Sequence, residues 1–366
     1  MSRAFITGAA FGGALTATGI YQPDVIISQL EMENWHMIQT FLTASGASMM
    51  IVTLARHLGY LGNLKPRSYS TLGLLATPLD GNLLGGYLQG VGMALAGACP
   101  GTVFAQIGGG VRSGLYTLGG ALLGGALWSG VLRDAIRRRR RSRETKQRND
   151  NNSNNSKSHG DNDTNDVLSV HELLGAKSPL PALALVESFF AAVVATVSLL
   201  GLSKTPAGIS LVGPVTGGLL IAGAQLVSIV ARGSLLGTST SFEEAGDYVV
   251  WWISGAEKGG KRTKPTSRSA MVLVSGMVAG ALAVSQLASL PSSPNNNSAG
   301  FPQTTTTSVG AARSVLGGVL LAVGSRMAGG CTSGHGISGI SLFSVSSFVT
   351  IAAMFAGGMA TAILLK

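Results

Sequence analysis

The sequence predicts an all-α polytopic membrane protein, with about nine hydrophobic segments in an inverted-repeat arrangement of broken or re-entrant helices. Three observations carry that expectation. Charged residues make up 11% of the 366-residue chain, against about 25% in an ordinary soluble domain, while hydrophobic residues reach 46% and the mean hydropathy is +0.37. Apolar stretches recur at about 17–25 residues, long enough to cross a hydrocarbon core of ~30 Å. The 52 glycines gather in segments that resemble one another.

In chain order the segments lie roughly at 4–20, 35–55, 82–98, 113–132, 180–202, 208–231, 269–290, 310–328 and 345–365. Helical periodicity does not sharpen these bounds, because a buried membrane helix is apolar on all sides. The first segment runs into YQPD without a small-x-small cleavage pattern, so it reads as a span and not as a signal peptide. Residues 1–132 form a first membrane half of two Gly-rich units and 179–366 a second. The intervening 133–178 loop opens with RDAIRRRRRSRETKQR (133–148), which has nine Lys or Arg against two acids, and continues as an Asn-rich tract. That tract has too few apolar side chains to offset its ordering entropy and is expected to be disordered.

Sidedness follows from the basic loops. Arg56, Lys65 and Arg67, the arginine run, and EKGGKRTKPTSR (257–268) are separated by two segments each, so all three loops fit on the cytoplasmic side. The N-terminus is then cytoplasmic, while the C-terminus and the 291–309 loop, which carries the Asn296 sequon, are non-cytoplasmic. The net charge of +10 sits in these loops and is not interleaved with aromatics, which argues against nucleic acid as a partner. Two cysteines cannot build a disulfide framework or a Cys-rich metal site, and no P-loop motif is present, so no metal or cofactor is expected.

The repeats locate the chemistry. GMALAGACPGT (92–102) and SRMAGGCTSGH (325–335) superpose, while GAAFGGALTATG (8–19) and GPVTGGLLIAGAQ (213–225) are weaker copies without the thiol. Four units result, with the 180–202 helix as an odd ninth element that inverts the second half. Cys99-Pro100-Gly101 cannot continue a regular helix, and Gly329, Gly330, Gly334 and Gly336 invite turns. Irregular backbone at membrane depth is tolerated where it is buried in protein or lines a cavity. The candidate pathway residues are therefore Cys99, Pro100, Gly101, Thr102, Arg326, Gly330, Cys331, Thr332, Ser333, Gly334 and His335. Close packing is the competing reading for the small residues. Arg112 and Arg326 read as interfacial snorkels or anion guides, and Glu187 as an interhelical hydrogen bond or a proton relay. Glu243 and Glu244 read as a gate or as the cap of a short 242–254 helix.

GGCTSGHGISG (329–339), GACPGT (97–102) and the Gly-rich repeat plan resemble the YeeE/YedE sulphur-transport family. That resemblance implies an hourglass-shaped helical protein of about nine membrane helices with short re-entrant helices, in which Cys99 and Cys331 match the central cysteines that pass thiosulfate along through S–H hydrogen bonds. Family members commonly carry a further cysteine toward the first Gly-rich segment, where this chain has Thr16 and Thr18. The expected function is an integral membrane transporter, not an enzyme, for thiosulfate or a similar small sulfur-containing anion. Its partners are that anion, the lipid bilayer and, for gradient-driven movement, a coupling ion. Two alternatives stay open: a membrane-embedded sulfurtransferase using a Cys331 persulfide with His335 as base, and a redox sensor that closes a Cys99–Cys331 disulfide.

Overall fold

A computed structural model describes residues 2–61, 64–75, 77–139, 142, 169–173, 175, 179–204, 210–253, 267–288 and 309–366. The Asn-rich tract, the basic run beyond Arg139 apart from Ser142, most of the 257–268 segment and the 291–308 loop with Asn296 lie outside the described residues.

Each of the four repeat units is a helix, a turn with a short element, and a longer helix. The first is α1 (Ser2–Ala17), α2 (Pro23–Leu30) and α3 (His36–His57); the second is α4 (Asp80–Ala96), α5 (Thr102–Gly108) and α6 (Arg112–Leu127). A π-helical turn, Trp128–Leu132, carries α6 onward to Arg139. Helix α7 (Leu180–Leu199) stands apart. The third unit is α8 (Pro214–Arg232), α9 (Thr240–Ile253) and α10 (Ser269–Ala288). The fourth is α11 (Ala311–Met327), a π-helical turn Ser333–Gly339 followed by the 3-10 turn Ile340–Leu342, and α12 (Val345–Leu365). Sequence reading passed over α2, α5 and the π-helical turn, because seven or eight residues leave no periodic signature.

The first helix of each unit ends at a glycine with positive φ: Gly19 (72°), Gly97 (59°), Gly233 (62°) and Gly329 (79°). A left-handed residue terminates a helix, and only glycine adopts it without strain. Helices α1, α4 and α11 have 16, 17 and 17 residues. At 1.5 Å per residue they run about 24–26 Å, short of a ~30 Å core, so their ends are delivered inside the membrane. Six other helices are long and apolar enough to cross it: α3, α6 with its extension, α7, α8, α10 and α12.

Unit one packs on unit three, and unit two on unit four. Gly8 and Gly12 of α1 meet the backbones of Leu273 and Met277, and Gly276 and Gly280 of α10 meet those of Phe5 and Ala9, so α1 and α10 run parallel in backbone contact. In the same way Gly86 and Gly90 of α4 face Thr350 and Met354 of α12, while Gly120 and Gly124 of α6 face Val315 and Val319 of α11. The first helices oppose each other. Gly85 and Gly92 of α4 meet Gly324 and Gly317 of α11 in antiparallel order, and Thr18 at the end of α1 lies against Gly217 near the start of α8. Each unit is thus inverted relative to its partner. Most of the glycines serve close helix approach, as small residues do in membranes. Helix α7 packs on α3 alone among the long helices and turns most of its surface outward.

Candidate functional site

The turns that follow α1, α4 and α11 meet at the centre beside the middle of α8. They border a cavity of about 50 Å3 whose lining includes Ile20 and Ile26 from unit one, Cys99, Gly101 and Thr102 from unit two, Ile221 from unit three, and Thr332, Ser333 and Ile337 from unit four. Phe11 and Phe41 close its apolar side. A single water needs ~10–15 Å3 of such space, so the cavity admits a few waters or one small ion.

Cys99 is held at the start of α5 by a reciprocal pair of bonds. Its backbone N–H donates to Thr102 Oγ1 (2.7 Å), and the Thr102 N–H points back at its sulfur (3.4 Å). The thiol is half-buried, and Pro100 and Gly101 are buried in the turn. A Cβ on Gly101 would stand 3.8 Å from Thr238 Oγ1 and 3.9 Å from Cys99 Sγ. Glycine leaves that gap open between the two.

Cys331 is buried. Its sulfur lies 3.3 Å from Thr238 Oγ1 and 3.3 Å from Ser333 Oγ, and those two hydroxyls lie 3.3 Å apart. Thr332 turns the other way, accepting from Gln89 Nε2 (3.2 Å) and donating to Met354 Sδ (3.4 Å). Cys99, Thr238 and Cys331, from three different units, therefore form a broken line of sulfur and hydroxyl groups, with Cys99 on the cavity and Thr238 and Cys331 behind its lining residue Ser333.

The remaining predicted residues are placed differently. His335 lies buried between Ser347 Oγ (2.9 Å to Nδ1) and the carbonyl of Ala328 (3.1 Å to Nε2). A carbonyl only accepts, so Nε2 carries the proton and Nδ1 takes the Ser347 hydroxyl, which leaves neither nitrogen free to serve Cys331 as a base. Arg326 is outside the cavity lining and pairs with Glu243 of α9, which also takes Arg133 at 3.3 Å. Glu243, in the first turn of α9, is thus an ion-pair partner of two arginines. Thr16 and Thr18, which replace the expected first cysteine, donate to the carbonyls of Gly12 and of Ala14 and Leu15, and neither lines the cavity. Arg112 is exposed at the start of α6. Glu187 faces Gly46 of α3 and is not among the cavity-lining residues, and its buried Oε1 has no hydrogen-bond partner.

Two residues of the site were missed. Thr238 belongs to a unit without a thiol, and only its place in the third repeat pointed to it. Arg67 counted as one of the basic residues marking a loop, yet its guanidinium enters the Cys331 turn and donates from Nη1 to the carbonyl of Gly329 (2.9 Å). Asp80 and Asn82 make this approach rigid. The Asp80 carboxylate accepts from the N–H groups of Leu72, Leu74 and Leu75, while Asn82 accepts from Ser70 N–H and donates to Ala328 O. Among the described residues no three His, Cys, Asp or Glu side chains are grouped to hold a metal.

Comparison with known proteins places these residues in context. The sequence model described as Sulphur transport matches residues 19–360, a span that includes both cysteine turns. Over 48 residues the chain is 50% identical to a protein named "Probable transporter" from Xylella fastidiosa strain 9a5c, and it is equally similar to one of the same name from strain Temecula1. Those 48 residues are 13% of this chain and 36% of each relative, so the chain spans about a third of the length of the curated relatives it matches.

Proposed function

The chain belongs to the Sulphur transport family, and from that premise we propose that it is an integral membrane transporter that carries thiosulfate or a similar small sulfur-containing anion past Cys99 and Cys331. The observation that supports this reading most is the line of S–H and O–H groups, contributed by three inverted units, beside one small internal cavity. A dianion is too costly to strip of water in hydrocarbon alone. Neutral donors offset part of that loss and hold the ion loosely enough to release it. A soft terminal sulfur suits a thiol donor, and hydroxyls suit the oxyanion oxygens.

The apolar flank built on Phe11 and Phe41 disfavours a continuous column of water through the cavity, as hydrophobic constrictions do. Arg133 and the arginines that follow it in the helix reaching Arg139 support a cytoplasmic location for the end of α6. The N-terminus then faces the cytoplasm and the C-terminus the opposite side.

The test is uptake of radiolabelled thiosulfate into sealed proteoliposomes by the native protein and by Cys99→Ala and Cys331→Ala. Saturable uptake that both substitutions abolish, with folding intact, supports a thiol-lined path. Unchanged uptake in both would remove the thiols from the mechanism. A covalent persulfide on Cys331 without transfer across the bilayer would favour the sulfurtransferase.

A further inference from the structure

Arg67 is the least explained charge in the molecule. Its side chain leaves a surface segment and ends inside the glycine turn that carries Cys331. A Cβ on Gly330 would stand 2.7 Å from Nη1, and one on Gly334 would stand 3.1 Å from Nη2. A side chain at Gly330 would displace Nη1 or the His335 ring, and one at Gly334 would press on Nη2, so these glycines form a socket for the guanidinium. The same point above Gly334 is 3.8 Å from Cys331 Sγ, which brings the fork and the thiol near one point.

The segment holding Arg67 is anchored: its carbonyl accepts from Ser344 and Ser346 hydroxyls (3.1 Å each), and Ser70 Oγ donates to Met327 O (2.5 Å). The guanidinium itself is hardly partnered. Its one hydrogen bond is to Gly329 O, and among the described residues no carboxylate pairs with it. The neighbouring Arg326, by contrast, is neutralised by Glu243. A planar fork has five donors and remains charged, and at this half-buried position most of its donors have no protein partner. A fixed cation kept in that state has an anion as its natural partner.

We infer that Arg67 and Cys331 together form an anion-binding site at the Cys331 turn, which takes a tetrahedral oxyanion with two oxygens on the guanidinium fork and a third atom at the thiol. This rests on the transport reading and adds to it a station where a fixed charge, not a neutral donor, holds the ion. The ligand class is a divalent oxyanion with at least two oxygens in one plane, because that geometry matches the fork bidentately. When the third atom is a terminal sulfur it meets the Cys331 S–H. With sulfate it is an oxygen, so both ions bind here and differ at the thiol.

The experiment uses the full-length protein in two assays. In detergent, the melting temperature is measured with sodium sulfate, sodium thiosulfate or sodium chloride at equal ionic strength, for native protein, Arg67→Gln and Arg67→Lys. In proteoliposomes, KM and maximal rate of thiosulfate uptake are measured for the same three. The site predicts that sulfate and thiosulfate raise the melting temperature above chloride in native protein only, and that KM rises about tenfold or more in Arg67→Gln. In Arg67→Lys, which keeps the charge but loses the fork, a smaller increase in KM is expected. Native uptake with unchanged KM and unchanged sulfate stabilisation in Arg67→Gln overturns this site and leaves the transport reading standing. Sulfate stabilisation that depends on Arg67, without thiosulfate uptake, keeps the site and removes that cargo. Neither stabilisation nor uptake by native protein overturns both. Should Arg67→Gln not fold, native values in Arg67→Lys overturn the bidentate site.

Discussion

Thr238 Oγ1 stands 3.3 Å from the sulfur of Cys331, and through this contact the third repeat, which has no thiol, completes the site of the fourth. The hydroxyl is buried and also reaches Ser333. Thr238→Val conserves shape and removes one hydrogen-bonding group. Thiosulfate uptake should fall about tenfold, the equivalent of one lost hydrogen bond of ~1.4 kcal/mol, while Thr238→Ser keeps most of it. Initial rates in proteoliposomes measure this, and equal rates in all three would take Thr238 out of the path.

His335 acts as a strut between α12 and the carbonyl of Ala328. His335→Ala leaves the Ser347 hydroxyl buried without a partner, at a cost of about 1–3 kcal/mol, and removes one of the two donors to that carbonyl, which keeps Asn82. The melting temperature should drop by several degrees while uptake per folded molecule is retained. A catalytic base would give the reverse pattern, lost activity at an unchanged melting temperature.

Gly12 and Gly90 lie in direct backbone contact with Met277 and Met354, whereas a Cβ at Gly119 meets nothing within 4 Å. Gly12→Val or Gly90→Val must separate packed helices and should abolish the monodisperse peak in size-exclusion chromatography. Gly119→Ala should leave the fold intact and raise stability by about 0.5–1 kcal/mol, since glycine is unfavourable inside a helix. Full tolerance of valine at either packed site would contradict the helix pairing.

Arg326, Glu243, Arg133 and Asp247 form one half-buried network between α11, α9 and the end of α6. Arg326→Ala should destabilise the protein by about 1–2 kcal/mol, between the worth of an exposed and of a buried pair. Thermal melts of the single variants and of Arg326→Glu combined with Glu243→Arg provide the check. Partial recovery in the double variant is expected. A KM change at constant stability would instead return Arg326 to the pathway.

Glu187 presents a carboxyl group to Gly46 with one oxygen unsatisfied, outside the cavity lining. Glu187→Met should raise the melting temperature, because it replaces a buried polar group without a partner by an apolar one of similar volume. Uptake should be retained. Loss of uptake at raised or unchanged stability would identify Glu187 as a proton site.

Much of the architecture was legible in the sequence, for a reason specific to membranes. Low charge and long apolar runs follow from the solvent, and the basic loops follow from sidedness, so both are written locally. The four-unit plan was visible because the helix-ending glycines and the paired CysProGly and GlyGlyCys turns repeat in register. Cys99, Gly101, Thr102, Thr332 and Ser333 were placed on the cavity by that repeat alone, and Cys331 just behind it. Arg326 and the Thr16 and Thr18 pair went elsewhere, since their side chains found nearer partners than the cavity.

The sequence by itself determined the solvent of this protein, its four repeats, the two turns that carry thiols and the family they belong to. Only the tertiary structure decided that unit one pairs with three and two with four, that Thr238 joins Cys331, that His335 is fully engaged, and that Arg67 occupies the glycine socket. The physical reason is that solvent preference and helix termination depend on neighbours along the chain. The hydrogen bonds of Arg67 to Gly329 and of Thr238 with Cys331 link positions 262 and 93 residues apart, and no local pattern records which of several hydroxyls or cations will arrive first.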